Sequence, residues 1–240
     1  MKRLWERSEI IFAVACIAVY VTVNSLLDEA SRGLGIEMVL TLPFDLIFFG
    51  ALLLFIRKNA LGGYYALNAP KVPAGRMLYY APLIIVCTVN IWFGIAFNKP
   101  PLEGAVYFLA MAATGIVEEL LFRGLLFRAM ARRNLRSAIV LTSVLFGMGH
   151  LVNLFNGSGM GLLENVCQVC YAVSVGFLFT SVLIRGGSLT TCMIAHAAFN
   201  ALSLFGNEPV IDRYQIPVSM ALCAISVAAG VYYLRGEKRA

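Results

Sequence analysis

Apolar residues dominate the chain in long runs that short polar segments interrupt. The hydrocarbon core of a bilayer is about 30 Å thick, so a helix that crosses it needs roughly 20 apolar residues. Eight runs approach that length, and Gly, Pro, Asn and charged residues gather between them. The pattern predicts an all-α, polytopic membrane protein with about eight transmembrane helices, forming a single integral-membrane domain over residues 1–240. The predicted spans are 9–27, 38–56, 77–97, 105–127, 138–152, 167–184, 188–205 and 217–234.

The lysines and arginines alternate between the two sides that these spans define. Cytoplasmic loops of membrane proteins carry an excess of Lys and Arg. Of the 19 basic residues, 15 fall on one side (the basic side), three fall on the opposite side, and Arg123 lies inside the fourth span. We therefore expect the basic side, with both termini, to be cytoplasmic. The basic side holds Lys2, Arg3, Arg7, Arg57, Lys58, Lys71, Arg76, Arg128, Arg132, Arg133, Arg136, Arg185, Arg235, Lys238 and Arg239, and the opposite side holds Arg32, Lys99 and Arg213.

The composition agrees with a membrane location and excludes several other classes. Hydrophobic residues make up 60% of the chain and charged residues 13%, with a mean hydropathy of +0.81, whereas soluble domains are roughly half apolar and a quarter charged. The net charge of +6 does not indicate a nucleic-acid partner, because the basic residues are scattered among short loops. The C-x-x-C pair of Cys167 and Cys170 lacks the second pair that a zinc ribbon needs.

Few ionisable residues lie inside the predicted spans. Each costs roughly 2.5–3.5 kcal/mol on insertion scales, so such residues usually pair with each other or carry function. Glu119 and Arg123 are four residues apart, which places them on one helix face as an ion pair. Glu118 points about 100° away and must find its partner on another helix. The ionisable residues of the spans are Asp45, Glu118, Glu119, Arg123, His150 and His196.

Both histidines of the chain lie in or at the end of spans. His150 follows a Gly-Met-Gly segment that permits close helix packing, and His196 shares a helix face with Asn200. At 1.5 Å per residue, Glu118, His196, Asn200 and His150 lie roughly 15, 12, 18 and 19 Å from the cytoplasmic ends of their helices. We therefore expect these four residues to meet in the cytoplasmic half to the middle of the bilayer.

Together these groups can hydrolyse a peptide bond without a covalent nucleophile. A carboxylate beside an imidazole can deprotonate a water, and a second imidazole with an amide can donate hydrogen bonds to an oxyanion. The chain has no H-E-x-x-H zinc motif, and Asp45 has no aspartate partner for an aspartyl dyad. Two other functions stay open: a proton-coupled transporter, because buried Glu and His also form proton relays, and a non-catalytic membrane scaffold.

Three motifs, one each in spans four, five and seven, hold these polar residues. They read E-E-x-x-x-R, F-x-x-x-H and H-x-x-x-N, at Glu118, Glu119, Arg123, Phe146, His150, His196 and Asn200. In order and in host span, they resemble the motifs of the CAAX-processing and bacteriocin-processing (CPBP, or Abi) membrane proteases. The motif region covers about residues 105–205, and the eight-span plan is similar to that of the prenyl-protein endopeptidase branch.

The resemblance implies an intramembrane glutamic endopeptidase in the cell membrane. In that reading, Glu118 with His150 activates water, while His196 with Asn200 forms the oxyanion hole. The supporting residues are Glu119, Arg123 and Phe146. Family substrates include the CAAX tails of prenylated proteins and, in bacteria, leader or signalling peptides, and the motif residues do not choose among them. We expect a membrane-associated or lipidated substrate that enters from the cytoplasmic half, and no nucleic acid.

The resemblance also raises the question of a metal. The family was long discussed as metal-dependent, and Glu118, His150 and His196 are the residue types of a catalytic Glu-His₂ zinc site. We favour a metal-free, cofactor-free reaction, although the spacing leaves the choice open.

Overall fold

A computed structural model describes residues 1–73, 75–154 and 161–237, so Lys238 and Arg239 of the basic side lie outside the described residues. The described part is helical and contains no β-strand, which confirms the predicted all-α class. Its α-helices are Lys2–Arg7 (α1), Glu9–Gly33 (α2), Thr41–Lys58 (α3), Met77–Thr88 (α4), Pro101–Glu119 (α5), Phe127–Ala131 (α6), Leu135–Gly149 (α7), Leu162–Gly186 (α8), Leu189–Leu202 (α9) and Glu208–Glu237 (α10). Turns of 3₁₀-helix follow α4, α7 and α9, and a π-helix over Leu120–Leu126 joins α5 to α6.

Each predicted span overlaps a helical stretch of the described chain. The fourth span, 105–127, covers most of α5, the π-helix and the first residue of α6. The helices that are long and apolar enough to cross a membrane are Glu9–Gly33, Pro101–Ala131, Leu135–Val152, Leu162–Gly186 and Arg213–Arg235. Two shorter apolar helices cover Tyr79–Ile91 and Leu189–Phe205. The chain therefore has the helices of a multi-pass membrane protein. The count of eight spans and the cytoplasmic position of the termini stay predictions.

Large apolar side chains cover the outer faces of several helices. Ile47 of α3 is 72% exposed, Ile194 of α9 is 66% exposed, and Met220 of α10 is 68% exposed. Soluble monomers rarely expose wide apolar surfaces, whereas lipid chains cover such surfaces without cost. These faces are consistent with contact to lipid.

The helix α5 packs against both α9 and α3, and α8 packs between α7 and α10. Local capping fixes where the helices that carry the motifs begin. The Asn134 side chain accepts a hydrogen bond from the Ser137 backbone N–H at the start of α7, and Ser188 does the same for Thr191 at the start of α9. Gly187, in the left-handed region with φ of 66°, ends α8 directly before that cap.

On the basic side, the end of α6 is tied to the start of α2. The Arg132 guanidinium donates to Glu9 at 2.6 Å, and the Tyr64 hydroxyl donates to the other oxygen of the same carboxylate. Partial burial and the adjacent Glu9 raise the pKa of Tyr64 to about 12, so this phenol stays protonated and keeps its role as donor. This cluster holds α2, α6 and the segment after α3 together at one end of the molecule.

Candidate active site

The two motif glutamates are the last residues of α5 and lead directly into the π-helix. Pro101 is pre-organised for the first turn of α5, and Glu103 in the same turn complements the helix dipole. All seven residues of the π-helix are buried. Single π-helical turns inside α-helices occur frequently at functional sites. The sequence pattern predicted an ordinary α-helix here.

Glu119 lies in the dry interior as one half of a buried ion pair. Arg123 Nη1 donates to Glu119 Oε1 at 2.9 Å, and both side chains are completely buried. The predicted pairing of these two residues is therefore confirmed, even though the intervening turn is π-helical. The same carboxylate oxygen lies 3.0 Å from Nδ1 of His196, a contact that the sequence did not predict.

Aromatic rings and a glycine enclose the Arg123 guanidinium. Its Cζ lies 4.1 Å from the centre of the Phe146 ring and 5.7 Å from that of Phe179. Cation–π contacts of this kind stabilise a desolvated guanidinium by roughly 2 kcal/mol. A Cβ on Gly176 would lie 2.8 Å from Arg123 Nη2, so glycine at this position leaves room for the guanidinium. Phe146, predicted as a supporting residue, thus contacts the buried cation.

Glu118 points to the other side of the helix, into a cavity of about 340 Å³ between α2, α5 and α7. We call this space the active-site cavity. Its walls include Tyr20 and Asn24 from α2, Glu118 from α5, and Phe146 and His150 from the end of α7. The Glu118 side chain is 23% exposed, in contrast with the complete burial of Glu119. A carboxylate that borders an open cavity can reach water and substrate.

His196 lies between the two glutamates. Its Nδ1 faces Glu119 at 3.0 Å, and its Nε2 lies 3.6 Å from Glu118 Oε2. The sequence required Glu118 to find a partner on another helix, and His196 of α9 is that partner. Gly115 permits this arrangement, because a Cβ there would lie 2.9 Å from the His196 carbonyl carbon and from the Ala197 nitrogen. The sequence pattern did not single out Gly115, although a small residue one turn before the glutamate pair was a visible signal.

His150 ends α7 and lines the active-site cavity together with Glu118. Its ring packs edge-to-face against Phe146, with the ring centres 5.7 Å apart. The His196 ring also packs edge-to-face against Phe146, at the same distance. Phe146 thus contacts both imidazoles. The His150 carbonyl accepts a hydrogen bond from Asn165 Nδ2 at 2.8 Å, which ties the end of α7 to α8.

Asn200 lies one helical turn beyond His196 on α9 and is 9% exposed. It is not among the residues that line the active-site cavity. Glu118 therefore shares one cavity with His150 and lies in direct contact with His196. Asn200 is connected to this group only because it follows His196 on α9. Its role as an oxyanion donor stays a prediction.

Asp45, the intramembrane carboxylate without an aspartate partner, is a connector between helices. It is fully buried in α3 and accepts hydrogen bonds from Asn24 Nδ2 at 2.9 Å and Thr114 Oγ1 at 2.8 Å. Thr114 lies one turn before Glu118 on α5. The sequence did not predict this link between α2, α3 and α5 beside the cavity.

The zinc alternative would bring Glu118, His150 and His196 to one centre. Among the described residues, no three His, Cys, Asp or Glu side chains lie close enough together to hold a metal ion. Glu118, His150 and His196 are all described, and each ring nitrogen of His196 faces a different carboxylate. A Glu-His₂ zinc site needs one nitrogen from each histidine and the Glu118 carboxylate on a shared centre. The metal-free reaction stays a prediction.

Residues 100–202, less than half of the chain, match the sequence model of a known family, described as type II CAAX prenyl endopeptidase Rce1-like. All three motifs lie within the matched segment. The match confirms the resemblance to the CAAX-processing proteases, and with it the prediction of an enzyme that hydrolyses peptides. No curated protein and no solved structure matches the chain.

Proposed function

We propose that this chain, through the CAAX-protease region at residues 100–202, is an intramembrane endopeptidase that uses an activated water. Its substrates are membrane-associated or lipidated peptides, and it spans the cell membrane eight times with both termini in the cytoplasm. One observation supports the proposal above all. Of two adjacent glutamates, one is locked in a buried ion pair and the other faces a cavity lined by a histidine.

Glu118 is the general base. It takes a proton from a water in the active-site cavity as the water oxygen attacks the carbonyl carbon of the scissile bond. His150, which lines the same cavity, orients that water. Proton transfer by a positioned side chain typically accelerates a reaction 10²- to 10⁴-fold, roughly.

The attack forms a tetrahedral intermediate whose oxyanion needs hydrogen-bond donors. His196 Nδ1 lies 3.0 Å from Glu119 Oε1, and its Nε2 is directed toward Glu118 and the reacting centre, where it supplies one donor. Asn200, on the same face of α9, supplies the second donor. The intermediate collapses when Glu118 returns the proton to the amide nitrogen, so that the C–N bond breaks and the amine product leaves.

The pairing of Glu119 with Arg123 lowers the cost of burying these charges inside a membrane. Glu119 carries a negative charge and Arg123 a positive charge, so the buried pair is neutral. This pairing avoids the large cost of an unpaired charge in a medium of low dielectric constant. Glu119 and Arg123 act by holding His196 rather than by touching the substrate.

The test is a cleavage assay in proteoliposomes with candidate lipidated and unlipidated peptides. We expect Glu118→Gln to slow cleavage by about 10²- to 10⁴-fold, and a strong chelator to leave the wild-type rate unchanged. The matched control is Glu103→Gln, on the same helix but outside the cavity and paired with Lys99. Wild-type cleavage by Glu118→Gln would refute the proposal, and Glu118-dependent solute flux without cleavage would favour a transporter.

A further inference from the structure

We infer that a cleft at one end of the molecule binds the phosphate headgroup of an anionic phospholipid. The cleft has a volume of about 550 Å³ and lies between the segment that leads from α1 into α2 and the end of α6. Its walls comprise residues 5–10, Ala129, Arg132 and Arg133, and we call it the arginine cleft. No described residue lines both this cleft and the active-site cavity. The inference therefore does not depend on the proposed protease.

The arginine cleft lies where two membrane-spanning helices reach the surface of a bilayer. The helices long and apolar enough to cross a membrane include Glu9–Gly33 and Pro101–Ala131. The first begins at the cleft and the second ends there, and the 2.6 Å bond from Arg132 to Glu9 joins the two ends. Charged residues at the end of a transmembrane helix lie at the membrane surface, level with the lipid phosphates. The cleft therefore faces the headgroups of one leaflet, whichever side of the membrane that leaflet is on.

Two arginines of the cleft have no partner, although both carboxylates have one. Glu9 accepts the bond from Arg132, and Glu6 lies within ion-pair distance of a lysine, 3.7 Å away. The side chains of Arg7 and Arg133 form no ion pair or hydrogen bond with any residue that the structure describes. Two guanidinium groups therefore remain to bind an anion in the cleft.

The charge and the shape of these side chains match a phosphodiester. A guanidinium group donates two parallel hydrogen bonds to phosphate oxygens and is weakly hydrated, so it is the cation best suited to this anion. With three arginines against two glutamates, the cleft carries one excess positive charge, which complements the single negative charge of a phosphatidylglycerol headgroup. A zwitterionic headgroup adds an ammonium group, which this excess charge disfavours. Because Arg7 ends α1 and Arg133 follows α6, a phosphate bound to both bridges two separate segments.

Apolar surface next to the cleft favours a lipid over a soluble phosphate ester. Ile10 is part of the wall, and Ile11 and Val14 continue along α2 with 56% and 51% exposure. The acyl chains of a phospholipid whose phosphate lies in the cleft reach this surface directly. Trp5, a residue type enriched at membrane interfaces, also lines the cleft and is held there by its 2.8 Å bond to the Tyr65 hydroxyl.

Trp5 provides a fluorescent reporter inside the cleft, because the chain has only one other tryptophan. In a Trp92→Phe background, all tryptophan fluorescence comes from Trp5. The protein is reconstituted in phosphatidylcholine with an increasing fraction of phosphatidylglycerol, and one of the two lipids carries bromine in its acyl chains close to the headgroup. Bromine quenches an indole that it contacts, so the quenching measures which lipid occupies the cleft. Both leaflets have the same composition, so the orientation of the protein in the vesicle does not matter.

We expect brominated phosphatidylglycerol to quench Trp5 at a lower fraction of total lipid than brominated phosphatidylcholine does. The preference should be about fivefold or more, because one basic residue near an anionic lipid changes the affinity by roughly that factor. The double variant Arg7→Gln/Arg133→Gln should lose this preference. The matched control Arg57→Gln/Arg136→Gln removes the same charge from exposed positions on the basic side but outside the cleft, and should keep it. Equal quenching of all variants in pure brominated phosphatidylcholine verifies that each is folded and inserted.

Three results would overturn the inference. The first is equal quenching of the wild-type cleft by the two brominated lipids. The second is an equal loss of preference in the control variant, which would indicate diffuse surface charge instead of a site. The third is displacement of brominated phosphatidylglycerol by added glycerol 3-phosphate, which would assign the cleft to a soluble phosphate ester. None of these measurements requires peptide cleavage, so a failure of the proposed protease would leave the lipid site standing.

Discussion

The last turn of α5 presents two adjacent glutamates to opposite environments. On one face Glu119 is fully buried and bonded to Arg123 and His196. On the other face Glu118 is 23% exposed and borders the active-site cavity. The same residue type thus occupies two environments at adjacent positions, and the environment assigns the role. The Glu119 carboxylate holds neighbouring side chains in place, and the Glu118 carboxylate can reach water in the cavity.

The neighbours of the two faces also differ in how closely they pack. The dry face is built by close approaches, with Gly115 against the backbone of His196 and Gly176 against Arg123. The open face lies between α2 and α7, which scarcely touch each other in the described chain. A rigid support beside an open space is the arrangement expected of a preorganised site. Substitutions on the dry face should therefore lower stability, whereas substitutions on the open face should lower the cleavage rate.

The largest effect on the dry face is expected for Arg123→Met. Removing one partner of a buried ion pair leaves the other charge uncompensated, which costs about 3–5 kcal/mol in the free energy of unfolding. Unfolding in detergent measures this loss. Arg132→Met is the control, because its side chain is 66% exposed and the loss of an exposed ion pair costs about 1 kcal/mol or less. Equal losses for both variants would contradict the structural role of Arg123.

Asn200→Ala probes the predicted oxyanion donor. Loss of one such donor typically lowers kcat by about 10²- to 10³-fold, and we expect that loss without a matching change in KM. Steady-state cleavage kinetics provide the measurement. The control is Asn90→Ala, because Asn90 Nδ2 is bonded to the Phe199 carbonyl beside α9 and its loss should affect stability rather than kcat. An unchanged kcat in Asn200→Ala would remove this residue from the mechanism.

The smallest expected effect comes from the two glycines before His150. A Cβ on Gly147 would lie 2.3 Å from Val173 Cγ2 and 2.9 Å from the Val169 carbonyl oxygen, whereas a Cβ on Gly149 meets nothing within 4 Å. We expect Gly147→Ala to cost about 1–3 kcal/mol through overpacking. Gly149→Ala is the matched control and should preserve stability. Thermal unfolding of the two variants distinguishes them, and equal midpoints would show that α7 and α8 do not need this close approach.

The sequence predicted those features that follow from local pattern. Long apolar runs placed the helical stretches, and the four-residue spacing of Glu119 and Arg123 predicted their ion pair. The helix boundaries were less accurate. The fifth span was predicted to begin at residue 138, but α7 begins at Leu135 because Asn134 caps it. Short polar caps carry little weight beside a long apolar run, so the predicted fifth span began late.

The features that the sequence did not predict depend on contacts between helices. The π-helix Leu120–Leu126 forms within a fully packed interior, and its residues have ordinary α-helical propensity. The contact of His196 with both glutamates requires α9 to approach α5 at Gly115. The motifs identified which residues belong to the candidate site, but only tertiary packing decided which of them touch.

The most direct test of the account compares Glu118→Gln with Glu119→Gln, two isosteric substitutions at adjacent positions, for cleavage rate and free energy of unfolding. We expect Glu118→Gln to lose at least about 100-fold in cleavage with unchanged stability. We expect Glu119→Gln to lose about 3–5 kcal/mol in the free energy of unfolding because it leaves the buried charge of Arg123 uncompensated, with measurable cleavage retained by the folded protein. The account is contradicted if Glu118→Gln cleaves at the wild-type rate, or if Glu119→Gln abolishes cleavage at full stability.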